Sequence, residues 1–373
     1  MNAQPIERVS TLELFFDLVF VFTITQLTAV LAHHPTGRGL AQAVLMIGVI
    51  WWMYGGYAWL TNTVRADVGF VRLLLLGGMA GFMILALAIP TTFDGDGLVF
   101  GIGYAIVIAI HGALFLRASP ASAAESFRGV LPFNLAIAVL VLIGGAAGGT
   151  LQYVLFAAAF AIAWLLPKGE EESGYEIGPA HFVERHGLVV IIAIGESVIA
   201  VGIGASHLAV EAGMIAVGLL GLALSACFWW TYFAGDDTRA EQRLVSAPPE
   251  RRPQLVLAAY GYWHIPILFG VIASASSLEY AIAHPSDALS FARALALGGG
   301  VATYMIGEAL FRRTLGIGAA STRLLAALLA LATIPIGTAG SAVLQIAVLV
   351  AALVAVLALD PARNEPAFAS TDM

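Results

Sequence analysis

The sequence predicts an all-α polytopic membrane protein with about 12 transmembrane helices, arranged as two parallel six-helix repeats. Three observations carry that prediction. The composition is 60% apolar and only 11% charged, with a mean hydropathy of +0.90, whereas a soluble domain holds about 45–50% apolar and about 25% charged residues. Apolar runs of about 20 residues, long enough at 1.5 Å per residue to cross a hydrocarbon core of about 30 Å, recur along the whole chain. The basic residues then fall almost wholly on one side of the topology that those runs define.

Cutting the runs at Pro, Gly and charge clusters gives the spans in order. Leu12–Ala32 follows Glu7 and Arg8 without a small-residue cleavage site, so it reads as a retained first span. Leu40–Asn62, Gly69–Pro90, Gly97–Arg117, Gly129–Gly148 and Thr150–Leu166 complete the first half. The cut at Gly148–Gly149 rests on glycines alone, and the fifth and sixth spans also fit a description as one helical hairpin. The second half holds His181–Gly204, Ala209–Ala234, Gln254–Ala283, Ala288–Phe311, Ala319–Ile336 and Ala339–Leu359. The domains expected are a first repeat over 1–167, a connecting loop over 168–180, a second repeat over 181–360 and a disordered cytoplasmic tail over 361–373. The loop carries Glu170–Glu172 and Glu176 as solvated charge.

The side that holds the N-terminus collects Arg8, Arg65, Arg72, Arg117, Arg128, Lys168, Arg185, Arg239, Arg243, Arg251, Arg252, Arg312, Arg313, Arg323 and Arg363. Only Arg38 and Arg293 fall opposite, so both termini are expected in the cytoplasm. With 17 Lys+Arg against 24 Asp+Glu the chain has a net charge of −7, which provides no basic surface for nucleic acid. The expected partner is the lipid bilayer, together with a small ion or solute, and the chain is read as a monomer or homodimer. The single cysteine, Cys227, rules out an intrachain disulfide and reads as a small core residue.

Four matches in the same order indicate an internal duplication. LVFVFTITQ from Leu18 aligns with LVVIIAIGE from Leu188, which sets Gln26 opposite Glu196. Trp51-Trp52-Met53-Tyr54 matches Trp229-Trp230-Thr231-Tyr232, ALAIP ending at Pro90 matches AIAHP ending at Pro285, and IHGALFLR from Ile110 matches IGEALFRR from Ile306. An even number of spans per half makes the repeats parallel, and a pathway is then expected at the interface of the halves near the midplane.

Ionisable groups inside a span are costly and tend to pair or line a pathway. Glu13 and Asp17, spaced i, i+4, stack on one face of the first helix, with Asp17 roughly 6–9 Å inside the membrane and Gln26 deeper. They serve either as a transport site or as a staple to a neighbouring arginine such as Arg65 or Arg72. On the seventh helix Glu184, Arg185 and His186 stand at the cytoplasmic start, and Glu196 follows about 18 Å along the axis, near the midplane. Glu196 is either an ion or proton site, supported by Ser197, or a protonated acid that binds a neighbouring helix. On the ninth helix Pro266 frees the carbonyl of Tyr262, so His264 is either a proton relay near Glu196 or a satisfied core histidine. Glu308 and Arg312, at i, i+4, predict a local ion pair, and His111 reads as packing.

His181-Phe-Val-Glu184-Arg-His186 has the wrong spacing for metal ligands on one helix face, so no metal is expected. No GxxxxGK[ST] loop is present in the sequence, and no cofactor or catalytic residue is assigned. The transport, ion or proton sites expected are thus Asp17, Glu196, Gln26, Ser197, Glu13, Glu184 and His264.

STLELFFDLVFVFTITQL from Ser10, ERHGLVVIIAIGESVIAVG from Glu184 and YGYWHIPILFG from Tyr260 resemble the low temperature requirement protein A (LtrA) family over nearly the whole chain. The resemblance implies a bacterial inner-membrane protein with many spans, associated with growth at low temperature. FFDLVFVFTIT from Phe15 is also similar to the Phe-Ser-Asp motif that opens each six-helix repeat of transmembrane-175-type potassium channels. In that family the first helix lines the pore. Here Phe16 replaces the serine, and His186 and Gly187 stand at the Ser and Asp positions of the second half. Ala66-Asp67 is similar to the signature loop of the major facilitator architecture, with a different glycine and basic spacing.

The leading functional expectation is an ion or proton-coupled small-solute transport pathway, not an enzyme. Two alternatives stay open: a structural or sensory membrane protein for cold adaptation, and an intramembrane enzyme using Glu196 with His264.

Overall fold

The computed structural model describes residues 8–66, 69–165, 175–206 and 208–360. Asp67, the stretch 168–174 of the connecting loop with Lys168 and Glu170–Glu172, Arg363 and the tail 361–373 lie outside the described residues. The described chain is helical, in the order α1 (Thr11–His33), α2 (Gly37–Thr63), α3 (Gly69–Ala88), α4 (Gly97–Ala118), α5 (Ala121–Ala147), α6 (Gly149–Leu165), α7 (Pro179–Gly204), α8 (Ala212–Phe233), α9 (Asp236–Ser246), α10 (Arg252–Val256), α11 (His264–Ala283), α12 (Phe291–Leu315), α13 (Ser321–Ala332), α14 (Ile334–Ala339) and α15 (Ala342–Ala358). Among the described residues, nine helical segments are long and apolar enough to cross a membrane, and α6 and α15 are shorter apolar helices of 17 residues. One of the nine, Gly69–Ala118, holds both α3 and α4. The chain is a multi-pass membrane protein in contact with lipid, and exposed Leu73, Leu87, Leu165, Leu219 and Leu328 suit that surface.

The breaks follow from residue chemistry. Between α3 and α4, Pro90 opens a 3-10 turn and Gly95 takes φ 143°, inside a π turn over Thr92–Asp96. Ahead of Pro266 the irregular backbone is a π turn over Leu257–Tyr262. At the α5–α6 junction Gly148 has φ 67° and ψ −172° and Gly149 φ 56°, and the first of these conformations is nearly closed to residues with a Cβ. Gly148→Ala is therefore expected to cost about 1–3 kcal/mol. The readout is a lower unfolding midpoint in detergent, while Gly129→Ala, at an exposed helical position with open space around it, leaves the midpoint in place.

Two features differ from the expected spans. α5 begins at Ala121, ahead of Gly129, and carries Pro132 in its interior, where the missing N–H leaves the Arg128 carbonyl without its helical donor. The loop after α8 contains α9, DDTRAEQRLVS, which buries Asp236, Ala240 and Leu244 at i, i+4 spacing on one side.

The chain divides into two compact units. Of the described residues, the first takes those in Met1–Val30, Gly37–Val189 and Ala247–Leu257, and the second those in Leu31–Thr36, Val190–Ser246 and Ala258–Met373. In the first unit α3 packs on α4, α4 on α5, α5 on α6, and α6 on α2. Phe16 and Phe20 of α1 enter an aromatic core with Tyr54, Tyr57 and Phe82, with ring centroids 4.3–6.0 Å apart. α3 and α4 cross on glycines: a Cβ on Gly103 would meet Gly81 O at 2.9 Å, and one on Gly81 would meet Gly103 O at 3.1 Å. The Tyr104 hydroxyl donates to the Val49 carbonyl at 3.1 Å and ties α4 to α2.

In the second unit α11 packs on α12, α12 on α13, α13 on α15, and α15 on α8. A Cβ on Gly270 would meet Gly300 O at 2.6 Å, and one on Gly300 would meet Gly270 O at 2.9 Å. The Tyr304 hydroxyl donates to the Phe228 carbonyl at 2.8 Å and ties α12 to α8.

Candidate functional site

The start of α1 is fixed by its own sequence. Ser10-x-x-Glu13 forms a capping box, in which the Ser10 N–H and hydroxyl donate to Glu13 Oε2 at 2.9 and 2.8 Å and the Glu13 N–H donates to Ser10 Oγ at 3.3 Å. One turn on, Asp17 faces the same way, and both acids are buried. The cation they meet is Arg185 of α7, rather than Arg65 or Arg72. Its Nη1 donates to Glu13 Oε1 at 2.9 Å and to the Thr61 hydroxyl, and its Nη2 donates to Asp17 Oδ1 at 3.3 Å. Arg185 is itself only 1% exposed, and an arginine at that depth has to be matched by acids. Its guanidinium also lies over the Phe16 and Tyr54 rings at 5.4 and 5.7 Å.

Two more groups complete this cluster. Asn62 Oδ1 accepts from the Gly178 N–H at 2.9 Å, so its Nδ2 is the donor toward His181 Nδ1 at 3.3 Å. His181 Nδ1 then acts as the acceptor, and the ring presents Nε2 to Glu13 Oε1 at 3.0 Å. The Tyr54 hydroxyl faces Asp17 within reach of a weak hydrogen bond, and Asp17 Oδ2 has no closer partner among the described residues. The two acids are therefore unequal: Glu13 is held by Ser10, Arg185 and His181, and Asp17 meets Arg185 through one oxygen and has only the Tyr54 hydroxyl near the other.

The remaining expected residues are dispersed. Glu184 is exposed and accepts the Val9 N–H at 3.2 Å. Gln26 is half-buried, nine residues past Asp17, or about 14 Å along α1 and beyond reach of its carboxyl. Glu196 and Ser197 are buried in the second unit, and the Ser197 hydroxyl has no hydrogen-bond partner among the described residues. His264 is wholly buried, with Nε2 2.8 Å from the Tyr232 hydroxyl and Nδ1 3.0 Å from the Ala259 carbonyl. The carbonyl can only accept, so Nδ1 carries the proton and Nε2 receives the Tyr232 O–H.

A second charged cluster, in the second unit, was not foreseen. Arg312 does not form the local pair with Glu308. It is bidentate to Asp236, through Nε to Oδ2 and through Nη2 to Oδ1 at 3.1 Å, and it reaches Asp360 at 3.2 Å. Arg323 donates to Asp360 at 2.6 Å, and Arg239 pairs with Asp236. A planar fork that meets a carboxylate face on outcompetes a single i, i+4 contact, and neither Glu308 oxygen has a hydrogen-bond partner among the described residues. His111 packs among Tyr57, Phe115 and Phe127.

In sequence, the i, i+4 spacing of Glu13 and Asp17 pointed at the first cluster, as a transport site or a staple to an arginine. Arg185 counted there as one more cytoplasmic cation, and nothing local marked Thr61, Asn62 or His181 as its neighbours.

A family model described as bacterial low temperature requirement A protein (LtrA) matches residues 8–358. An uncharacterized protein of Rhizobium meliloti (strain 1021) is 29% identical over 315 residues, which cover 81% of this chain and 76% of that protein.

Proposed function

The chain belongs to the bacterial low temperature requirement A (LtrA) family, and on that premise we propose that it is an ion or proton-coupled small-solute transporter whose coupling site is the Glu13–Asp17–Arg185 cluster. The observation that carries this reading is the charge imbalance: two buried carboxyls meet one guanidinium, and Asp17 Oδ2 accepts no hydrogen bond from a cation among the described residues. A proton or monovalent cation at Asp17 neutralises the excess charge, and its release restores a buried anion that the surroundings disfavour. Such a site has two states of comparable cost, which coupling requires. Glu196 and Ser197 form a second polar position on α7, and Gln26 and Glu184 flank the site along α1 and α7.

The reading extends to architecture. Taking α3 and α4 as two passes and including α6 and α15, the chain crosses the membrane twelve times. The order of neighbours α3–α4–α5–α6–α2 is echoed by α11–α12–α13–α15–α8. Both units have a glycine crossing in the central pair and a tyrosine that binds the carbonyl of the second helix. These parallels support a duplicated six-helix repeat. The basic residues favour a bacterial inner-membrane location with both termini in the cytoplasm, in a monomer or homodimer. A non-enzymatic role fits His264, whose two ring nitrogens are both engaged.

The test is proton and rubidium flux into proteoliposomes. Asp17→Asn and Glu196→Gln are each expected to abolish flux while the protein stays folded. Wild-type flux in Asp17→Asn removes the cluster from the mechanism. No flux of either ion in the wild-type chain favours the structural or sensory alternative.

A further inference from the structure

The second charged cluster walls a cavity of about 310 Å³, lined by Trp230, Ala234, Arg239, Arg312, Arg323, Leu357 and Asp360. That volume is at the lower end of the range for ligand pockets, about 300–1,000 Å³. The lining combines three guanidiniums and the Asp360 carboxylate with apolar surface from Trp230, Ala234 and Leu357. It stands where five helix ends meet: the ends of α8, α12 and α15 and the starts of α9 and α13. Trp230 is partly exposed there, as tryptophans at a membrane interface are.

Among the described residues, the three guanidiniums of Arg239, Arg312 and Arg323 share two hydrogen-bonded carboxylates, those of Asp236 and Asp360. Glu308 stands near Arg312 and Arg323 but accepts no hydrogen bond among the described residues. Two donors are also left over: the Nε–H groups of Arg239 and Arg323 have no hydrogen-bond partner among the described residues, although Arg323 is only 3% exposed. A buried donor without an acceptor is costly, and two of them on neighbouring guanidiniums ask for an anion with several acceptor oxygens.

We propose that this cavity binds the phosphate of a monoanionic phosphodiester, held by Arg239, Arg312 and Arg323, with Trp230 and Leu357 against its apolar part. The site already holds Asp236, Asp360 and Glu308, so a diester with one charge meets less repulsion there than a doubly charged phosphomonoester. The same oxygens are offered by the head group of an anionic phospholipid and by free phosphate, and the apolar wall favours the lipid.

The full chain, purified in detergent and stripped of lipid, is titrated with phosphatidylglycerol, with phosphatidylcholine and with inorganic phosphate, with thermal unfolding and native mass spectrometry as readouts. Phosphatidylglycerol is expected to raise the unfolding midpoint and remain bound, and Arg239→Gln to weaken its binding about tenfold. Stabilisation by inorganic phosphate at matched concentration identifies a free anion as the source; its absence identifies the lipid. Arg239 is the partly exposed member and Asp236 keeps Arg312, so this variant folds even if Arg323→Gln does not. Equal phosphatidylglycerol binding by wild type and Arg239→Gln overturns the proposal, as does stabilisation by neither phosphatidylglycerol nor phosphate beyond phosphatidylcholine.

Discussion

Arg185→Met is expected to lower the stability of the protein by about 3–5 kcal/mol, the loss typical when one partner of a buried ion pair is removed. The substitution keeps the side-chain length but leaves Glu13 and Asp17 buried without their guanidinium, and it deprives Thr61 of its donor. Against a total stability of about 5–15 kcal/mol, this is a large fraction, and the unfolding midpoint in detergent should fall accordingly. The triple variant Arg185→Met, Asp17→Asn, Glu13→Gln should recover most of the loss, since it removes the acids along with the cation. A single variant as stable as the wild type would mean that the acids find another partner.

Gly270→Val is expected to prevent the α11–α12 contact from closing. A Cβ at that position would stand 2.6 Å from both Gly300 O and Tyr304 N. These are backbone atoms of a packed helix, and neither can rotate away. Overpacking of a core costs about 1–3 kcal/mol where side chains give; here the helices themselves must separate, so the loss should exceed that range. Lower yield of monodisperse protein and a reduced midpoint are the readouts. Gly202→Ala, also in a helix but with nothing within 4 Å of the added carbon, should leave both unchanged. Similar behaviour of the two variants would show that the crossing tolerates separation.

Much of the architecture was legible because it rests on local chemistry. Apolar run length marked the helices, and Pro90, Gly148-Gly149 and Pro266 marked where the backbone departs from α geometry. The charged clusters were not legible for the opposite reason. Arg185 meets Glu13 and Asp17 across 172 and 168 positions, and Arg312 meets Asp236 across 76. Helical spacing suggested Glu308 as the partner of Arg312, but i, i+4 proximity gives only a weak exposed pair, which an approaching carboxylate from α9 displaces. The α9 helix itself went unseen because its charges interrupt the apolar runs that mark spans, although Ala, Arg, Glu, Gln and Leu favour helix; it packs on α8 and α12 and buries Asp236, Ala240 and Leu244.

The separation between Glu13 and Arg185 has a consequence for how the protein is made. A ribosome adds roughly 5–20 residues per second, so the 172 positions between them correspond to about 9–34 s of translation. Throughout that interval the first helix exists while its counter-charge does not. The nascent chain must therefore hold two acids at the bilayer surface, hydrated or protonated, until the seventh helix arrives. Final seating of the first helix becomes a late event in biogenesis, although its residues are the earliest to leave the ribosome.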